Sequence, residues 1–398
     1  MAIILLAWEL GGGLGHASQL LPLASRLQSA GHDVVIALRD LRIAAKLPSL
    51  TAIRYLQSPH KQFANQHSIV TPRTFAHVLW NAGHNDPIEV QRLVEGWEKL
   101  FDAVSPDLIV FDHAPTALLA ARGRDVKRVV LGNGFCCPRD CSPLPDLRPW
   151  LPPEPARLAE DEARILDSMN QVLERRGAER LNRITQLYDE VDDTFLTTFC
   201  EFDHYPNRAG AQYRGPWSMS GGKSPVWPAG SGKRIYAYLS VFPGLPKILH
   251  ALGRTGCPTI VFGGLDQQTQ ARFAAANVRF ESRRIDLKRV AAECDVAVLN
   301  GGQATTLGVL LAGKPILQAP IFLEQAINAL NTVKLGAGMI AFPRGEDRTV
   351  EQLAELLSNP RYTDAARKFA DRYASFSVEA EMDQAAQRLN ELACASKT

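Results

Sequence analysis

Ile3-Ile4-Leu5-Leu6-Ala7-Trp8-Glu9-Leu10-Gly11-Gly12-Gly13-Leu14-Gly15-His16 is the stretch from which the fold can be read. Ile3 to Trp8 is an unbroken apolar run, as expected of a strand buried on both faces. Gly11 to Gly15 forms a loop. Ala17 to Ala30 then sets Leu20, Leu21, Leu23, Ala24 and Leu27 on one side of a helix that Gly31 stops. Val34 to Leu38 is a second strand. Strand, glycine loop, helix, strand is the start of a parallel α/β sheet.

The alternation continues outward from there. Asp107 to Phe111 reads as a strand ending in Asp112, Ala114 to Arg122 as the next helix, and Val129 to Leu131 as another strand before Gly132-Asn133-Gly134-Phe135. Ser142 to Pro155 is proline-rich and irregular, and Asp161 to Asp189 reads as one long charged helix covering the sheet. Residues 204–232 collect Pro and Gly and read as a linker. Beyond it, Ile235–Leu239, Thr259–Phe262, Val278–Phe280, Val296–Leu299 and Ile316–Gln318 are strands with helices between them. The expectation is an α/β chain of two doubly wound, Rossmann-like domains facing a cleft, over residues 1–216 and 217–375. A C-terminal helix over 376–398 is expected to pack back on the first domain. Ligands of such sheets bind at the carboxyl ends of the strands. Gly230-Ser231-Gly232-Lys233 is not a phosphate loop, because its spacing is incomplete, Arg234 replaces Ser/Thr and no strand precedes it.

Composition agrees with a globular chain of this size. The 398 residues are 46% hydrophobic and 22% charged, with a net charge of +2, which gives no case for nucleic acid or a polybasic membrane anchor. The cysteines (Cys136, Cys137, Cys141, Cys200, Cys257, Cys294 and Cys394) follow no disulfide framework and suit a reducing compartment. Cys136, Cys137 and Cys141 cluster, but no His or CxxC partner completes a metal site. The N-terminal apolar run reads as a buried strand and not as a signal peptide, and no run reaches the ~18 apolar residues of a membrane span. A cytoplasmic protein is expected.

Two turns carry candidate chemistry. His16 follows the first glycine loop at the start of a helix, where amide N–H groups point outward. Its ordinary pKa near 6.5 suits proton removal from a hydroxyl. His16 equally reads as a helix cap, and Gly11-x-Gly13 with Asp40 after the second strand permits a dinucleotide site. Asp112 ends a central strand and can pair with His16, fixing its tautomer; it also reads as a helix N-cap. In the second domain, Asn300-Gly301-Gly302-Gln303-Ala304-Thr305-Thr306-Leu307-Gly308 follows a strand and opens a helix. Such a turn can hold a pyrophosphate on its N–H groups and the Thr305 and Thr306 hydroxyls. Glu324 and Gln325, at the next turn, offer partners for sugar hydroxyls.

Gly301, Gly302, Thr305, Thr306, Gly313, Pro315, Pro320, Glu324, Gln325, Asn328 and Ala329 resemble the donor-binding segment of family 1 glycosyltransferases, the UDP-glycosyltransferase superfamily. That segment runs HGG-x-x-[ST]-[ST]-x-E, G-x-P-x-x-x-x-P, then [DE]-Q-x-x-N-A. Gly15-His16 with Pro22-Leu23-Ala24, and Pro106 to Asp112, are similar to the same family's first loop and its acid-bearing strand. The resemblance implies the GT-B fold and a metal-independent, inverting sugar transfer from a nucleotide sugar to a hydroxyl. His16 is then the base and Asp112 its partner, and no cofactor beyond the co-substrate is needed. The acceptor, a small molecule, a lipid-linked compound or another hydroxyl, is expected near Phe63–Trp80, Asn133–Phe135 and Cys136–Pro155, with Trp80, Asn133 and Phe135 as contacts. Gly15, Arg283, Arg284, Ile285, Asn300, Gly301, Gly302, Thr305, Thr306, Glu324 and Gln325 are the expected donor contacts. Asn300 stands where the family has His, Gly308 where it has the ribose-binding Glu, and Ser282 to Asp286 where relatives have Trp-x-Pro-Gln. A UDP- or dTDP-sugar is the expected donor, with a GDP-sugar also open. An inactive nucleotide- or partner-binding descendant and a nucleotide-sugar epimerase are the alternatives.

Overall fold

The computed structural model describes residues 1–13, 15–46, 53–62, 67–217, 221–342 and 345–395. Leu14 of the glycine loop, Phe63 to Gln66 of the expected acceptor region, and residues 218–220 of the linker lie outside them. The chain forms two compact units, residues 1–217 with 377–398, and residues 218–376.

In the first unit the order is β1 (Ile3–Trp8), α1 (Gly15–Ser29), β2 (Asp33–Leu38), β3 (Arg54–Gln57), α2 (Phe75–Leu79), α3 (Pro87–Val104), β4 (Leu108–Asp112), α4 (Pro115–Ala121), β5 (Lys127–Gly132), α5 (Pro155–Arg175), α6 (Gln186–Asp189) and β6 (Asp193–Leu196). Among the described residues the sheet runs β3-β2-β1-β4-β5-β6, all parallel. Ile4 to Trp8 and Leu108 to Asp112 are fully or almost fully buried, which is why both read as continuous apolar runs. The helix α3 is well signalled: Asp86 caps it by accepting from Ile88 N, Pro87 opens it, and Val90, Val94, Trp97 and Phe101 form its buried stripe.

The single helix expected over Asp161–Asp189 is not formed. α5 ends at Arg175, and Gly177 takes φ 67° just beyond it while Ala178 N–H donates to Leu173 O. A glycine in the left-handed region closes a helix, because a Cβ there is penalised. Only the four residues of α6 become helical again. α5 is also more than a solvated cover, since it buries Ile165, Met169, Val172 and Leu173.

The second unit contains β7 (Ile235–Tyr238), α7 (Leu245–Arg254), β8 (Thr259–Phe262), α8 (Gln267–Arg272), β9 (Val278–Glu281), α9 (Leu287–Glu293), β10 (Val296–Leu299), α10 (Gln303–Leu311), β11 (Ile316–Gln318), α11 (Leu323–Lys334), β12 (Gly338–Ile340), α12 (Thr349–Ser358) and α13 (Pro360–Arg372). Its parallel sheet runs β12-β11-β10-β7-β8-β9. Counted along the chain this is the first sheet's order again, so each unit has one point where the strand order reverses, β1 against β4 and β7 against β10. Open α/β sheets bind ligands at that point.

The last helix, α14 (Val378–Ala395), belongs to the first unit. It packs on α1, where Arg26 meets Asp383 at 2.6 Å, and is tied to the loop after α1 by His32 Nε2 with Asn390 Oδ1 at 2.9 Å and to β6 by Arg388 with Asp193 at 2.8 Å. Among the described residues no helix is long and apolar enough to cross a membrane.

Candidate active site

In the first unit the two candidate residues meet at the reversal point. Trp8 pairs with Asp112 across β1 and β4. His16 Nδ1 lies 2.9 Å from Asp112 Oδ1. The carboxylate has no exposed surface, whereas the imidazole keeps 16% of its side chain exposed, so Asp112 is hidden and His16 can be reached. With Asp112 ionised, the matching tautomer carries its proton on Nδ1 and donates it to Oδ1, which makes Nε2 the basic nitrogen.

Several further residues hold this pair, and all but Gly11 went unmarked in the sequence. Gln19, one turn beyond His16 on α1, donates from Nε2 to Asp112 Oδ2 at 3.1 Å. Thr197, just after β6, donates from Oγ1 to Gln19 Oε1 at 3.2 Å. The rings of Trp8 and His113 stack nearly parallel to His16, with centroids 5.0 and 6.1 Å away. Gly11 takes φ 83°, and a Cβ built there would overlap His16 Nε2. Arg39, after β2, donates to the Gly11 carbonyl. The i, i+3 spacing of His16 and Gln19 was the available signal for Gln19; Arg39, His113 and Thr197 reach the pair only through strands far apart in sequence.

Beneath the dyad, Glu9 is buried and accepts from Thr116 N at 2.9 Å, from Ala117 N at 3.3 Å, and from Thr116 Oγ1. It therefore caps α4 from a different strand, and with it the turn that bears Asp112. Burial pushes the Glu9 carboxyl up to about 7, against the opposing pull of these hydrogen bonds. His113 adopts φ 47°, and its carbonyl accepts from Leu10 N at 2.9 Å, which ties the glycine loop to the turn after β4. Burial, reinforced by the charges at His16 and Arg39, lowers His113 to about 3, so its ring stays neutral. Among the described residues its Nδ1 has no hydrogen-bond partner.

The expected acceptor contacts separate. Phe135 is half-buried, with its ring centroid 6.2 Å from His113 and 5.6 Å from His204, so it continues the row of rings that starts at His16. Asn133 accepts from Cys136 N through its side chain and caps a turn. The Trp80 indole donates to His67 O at 3.0 Å under the Arg164 guanidinium, which is a packing role. The described residues do not join Trp80 to the dyad. The cysteines are free thiols, and among the described residues no three His, Cys, Asp or Glu side chains converge.

In the second unit the turn Asn300–Gly302 leads from β10 into α10. Asn300 accepts from Ser240 N at 2.6 Å and donates to Ala319 O at 2.8 Å. Its amide thus bridges the loops after β7, β10 and β11 across the reversal point. Both ends of the amide are thereby engaged by backbone groups, an arrangement that an uncharged side chain satisfies. Gly301 takes φ 90°, and a Cβ there would sit 2.9 Å from Gln325 O, so α11 starts hard against the turn. Asn328 fastens the contact by donating to Gly301 O at 3.1 Å.

The expected pair of threonines also separates. Neighbours on a helix point about 100° apart. Thr305 is half-exposed, whereas Thr306 is fully buried and accepts from Gln318 Nε2 at 3.0 Å, so the Thr306 hydroxyl faces the core. Gln325 Oε1 accepts from Ile321 N at 2.9 Å and caps α11. Glu324, in the first turn of the same helix, is half-exposed. Ile285 is buried, and its segment is fixed by Lys223 N–H donating to Arg284 O and Asp286 N–H donating to Lys223 O, each at 3.0 Å. Arg283 is exposed, and Arg284 lies close enough to Tyr238 to act on its phenol electrostatically. At Gly308 a Cβ would meet Leu287 Cδ2 at 2.9 Å, so the small residue lets α10 approach α9.

Residues 247–392 match the family model described as erythromycin biosynthesis protein CIII-like, C-terminal domain. The PGL/p-HBAD biosynthesis rhamnosyltransferase of Mycobacterium tuberculosis (strain ATCC 25177 / H37Ra) is 26% identical over 306 residues, covering 71% of this chain and 67% of that protein. Among solved structures, the spinosyn rhamnosyltransferase SpnG superposes with a TM-score of 0.68 at 16% identity over 98% of this chain and 99% of its own. It has also been solved with thymidine diphosphate. The glycosyltransferase SnogD from Streptomyces nogalater gives a TM-score of 0.65 at 21% identity over 98% and 99% of the two chains.

Proposed function

We propose that this chain, a member of the UDP-glycosyltransferase-like superfamily of GT-B glycosyltransferases, moves a sugar from a nucleoside-diphosphate donor to an acceptor hydroxyl in one inverting displacement with His16 as the base. The observation that carries the proposal is the buried Asp112 carboxylate 2.9 Å from Nδ1 of a partly exposed His16, at the strand-order reversal of the first sheet.

In the proposed step His16 Nε2 takes the acceptor proton as the hydroxyl oxygen attacks the anomeric carbon. The carbon–oxygen bond to the diphosphate breaks, and the nucleoside diphosphate leaves with the electron pair. Attack opposite the leaving group inverts the anomeric centre. Asp112 stabilises the imidazolium that forms. In the second unit the amides at the start of α10 and the half-exposed Thr305 hydroxyl receive the diphosphate, a stabilisation that needs no metal ion. Glu324 positions the sugar, and Arg283 and Arg284 lie along the nucleoside. The donor is a UDP- or dTDP-sugar; the thymidine diphosphate held by SpnG supports the latter. The acceptor is a small molecule, a lipid-linked compound or another hydroxyl-bearing molecule, and Phe135 lines its site.

Incubation with UDP-, dTDP- and GDP-sugars and an acceptor panel, with and without EDTA, tests the proposal. Nucleoside diphosphate release that depends on an acceptor, survives EDTA and inverts the anomeric centre is expected. Donor conversion with no acceptor present contradicts it.

A further inference from the structure

His16 and Gln19 are one helical turn apart on α1, and each engages a different oxygen of the same buried carboxylate, His16 on Oδ1 at 2.9 Å and Gln19 on Oδ2 at 3.1 Å. A single helix face therefore presents the imidazole and the amide together. Asp112 has no exposed surface, so water does not replace either donor. The Gln19 amide is itself oriented: its oxygen accepts from Thr197 Oγ1 at 3.2 Å, which leaves its NH₂ directed at Asp112. Thr197 N–H in turn donates to Gly132 O at 2.9 Å, anchoring the chain of bonds on β5. An amide whose two ends are both committed cannot flip without breaking both bonds.

We infer that Gln19 is a positioning residue that sets the orientation and proton affinity of the His16–Asp112 pair through Asp112 Oδ2, with Thr197 fixing its amide. The consequence for catalysis rests on the proposal that His16 is the base; the link among the three side chains does not. Donation to the ionised carboxylate stabilises the state with neutral His16 more than the protonated ion pair, in which the carboxylate charge is already compensated. Removal of Gln19 should therefore make proton uptake by the pair more favourable. Apparent values of interacting groups belong to the pair, so the shift is read as one apparent value. Among the described residues, His113 after β4 acts electrostatically with His16 and Cys137 after β5 with Asp112; Arg39 after β2 acts in turn on His113 and on Glu9 after β1, and all four stay in place in the variants below.

The test is a histidine imidazole NMR titration of the full chain without ligand, with the His16 signal assigned by its loss in His16→Gln. In Gln19→Leu the His16 midpoint is expected to move upward by about half a unit or more, the scale of one lost hydrogen bond to a charged group. Thr197→Val should move it in the same direction by less. Gln19→Asn, which keeps the amide on a shorter arm, should fall between Gln19→Leu and the parent, and it replaces Gln19→Leu if that variant does not fold. A His16 midpoint unchanged in both the Gln19 and Thr197 variants overturns the inference. Transfer activity persisting in His16→Gln would instead remove the base assignment and leave the titration result standing.

Discussion

Gly11 faces the basic nitrogen of His16 so closely that a side chain at position 11 would occupy the same space. The glycine-rich loop thus does more than turn the chain, because the missing Cβ is room for the His16 ring. Gly11 also sits at φ 83°, where a Cβ is disfavoured by roughly 1–2 kcal/mol. Gly11→Ala should lower stability by about that amount and displace the imidazole. A displacement near 1 Å costs on the order of 100-fold in rate. Thermal unfolding and kcat together check this, and a variant with parent activity would show that the overlap is relieved without moving His16.

Asp112→Asn keeps the size of the side chain but can present an NH₂ where His16 needs an acceptor. The tautomer that donates from Nδ1 then loses its support, and the expected loss of kcat is ~10⁴-fold, as in other His–Asp pairs. KM for the donor should not change. Steady-state kinetics with the preferred nucleotide sugar decide the matter.

Glu9 predicts a pH signature in stability. Its carboxyl is raised from 4.5 to about 7 in the folded protein, so between those values the folded state binds the extra proton and stability declines as pH rises. The span of about 2.5 units corresponds to ~3 kcal/mol at 1.36 kcal/mol per unit. His84 and His113, lowered to about 4 and about 3 by burial, act in the opposite sense, because each must charge on unfolding below its ordinary value. The difference in stability between the parent and Glu9→Gln isolates the carboxyl. It should become less favourable to the parent from pH 4.5 to 7 and be flat above, as measured by denaturant unfolding across that range.

Much of this arrangement was legible before any coordinates. Continuous apolar strands and glycine turns announced both sheets, because strands buried on two faces leave no polar positions to confuse the pattern. His16 and Asp112 were legible for the same reason: each stands where such a strand gives way to polar residues. What stayed hidden depends on tertiary context. β3, β6 and β12 were not read as strands, because each is short and none is a continuous apolar run: Arg54 and Gln57 bound β3, Asp193 and Thr194 open β6, and Gly338 opens β12. The break after α5 rests on one glycine in a charged stretch. The outward or inward sense of Asn300 and Thr306 is set by Ser240, Ala319 and Gln318, which reach them only in the folded sheet.

The separation of Thr305 from Thr306 can be measured directly. Thr306→Val leaves the buried Gln318 amide without an acceptor and should cost about 1–3 kcal/mol of stability with nucleotide affinity unchanged. Thr305→Val should weaken nucleoside diphosphate binding with little effect on unfolding. Calorimetric binding and thermal unfolding of the two variants check the pair, and the reverse pattern would place the Thr306 hydroxyl at the phosphate.

The central claim, that His16 is the base, is tested most directly by measuring kcat and nucleoside diphosphate affinity for His16→Ala beside the parent. A positioned general base contributes about 10²- to 10⁴-fold, so turnover should fall by at least that range while nucleotide affinity, which the proposal assigns to the second unit, stays at the parent value. Turnover equal to that of the parent would contradict the account.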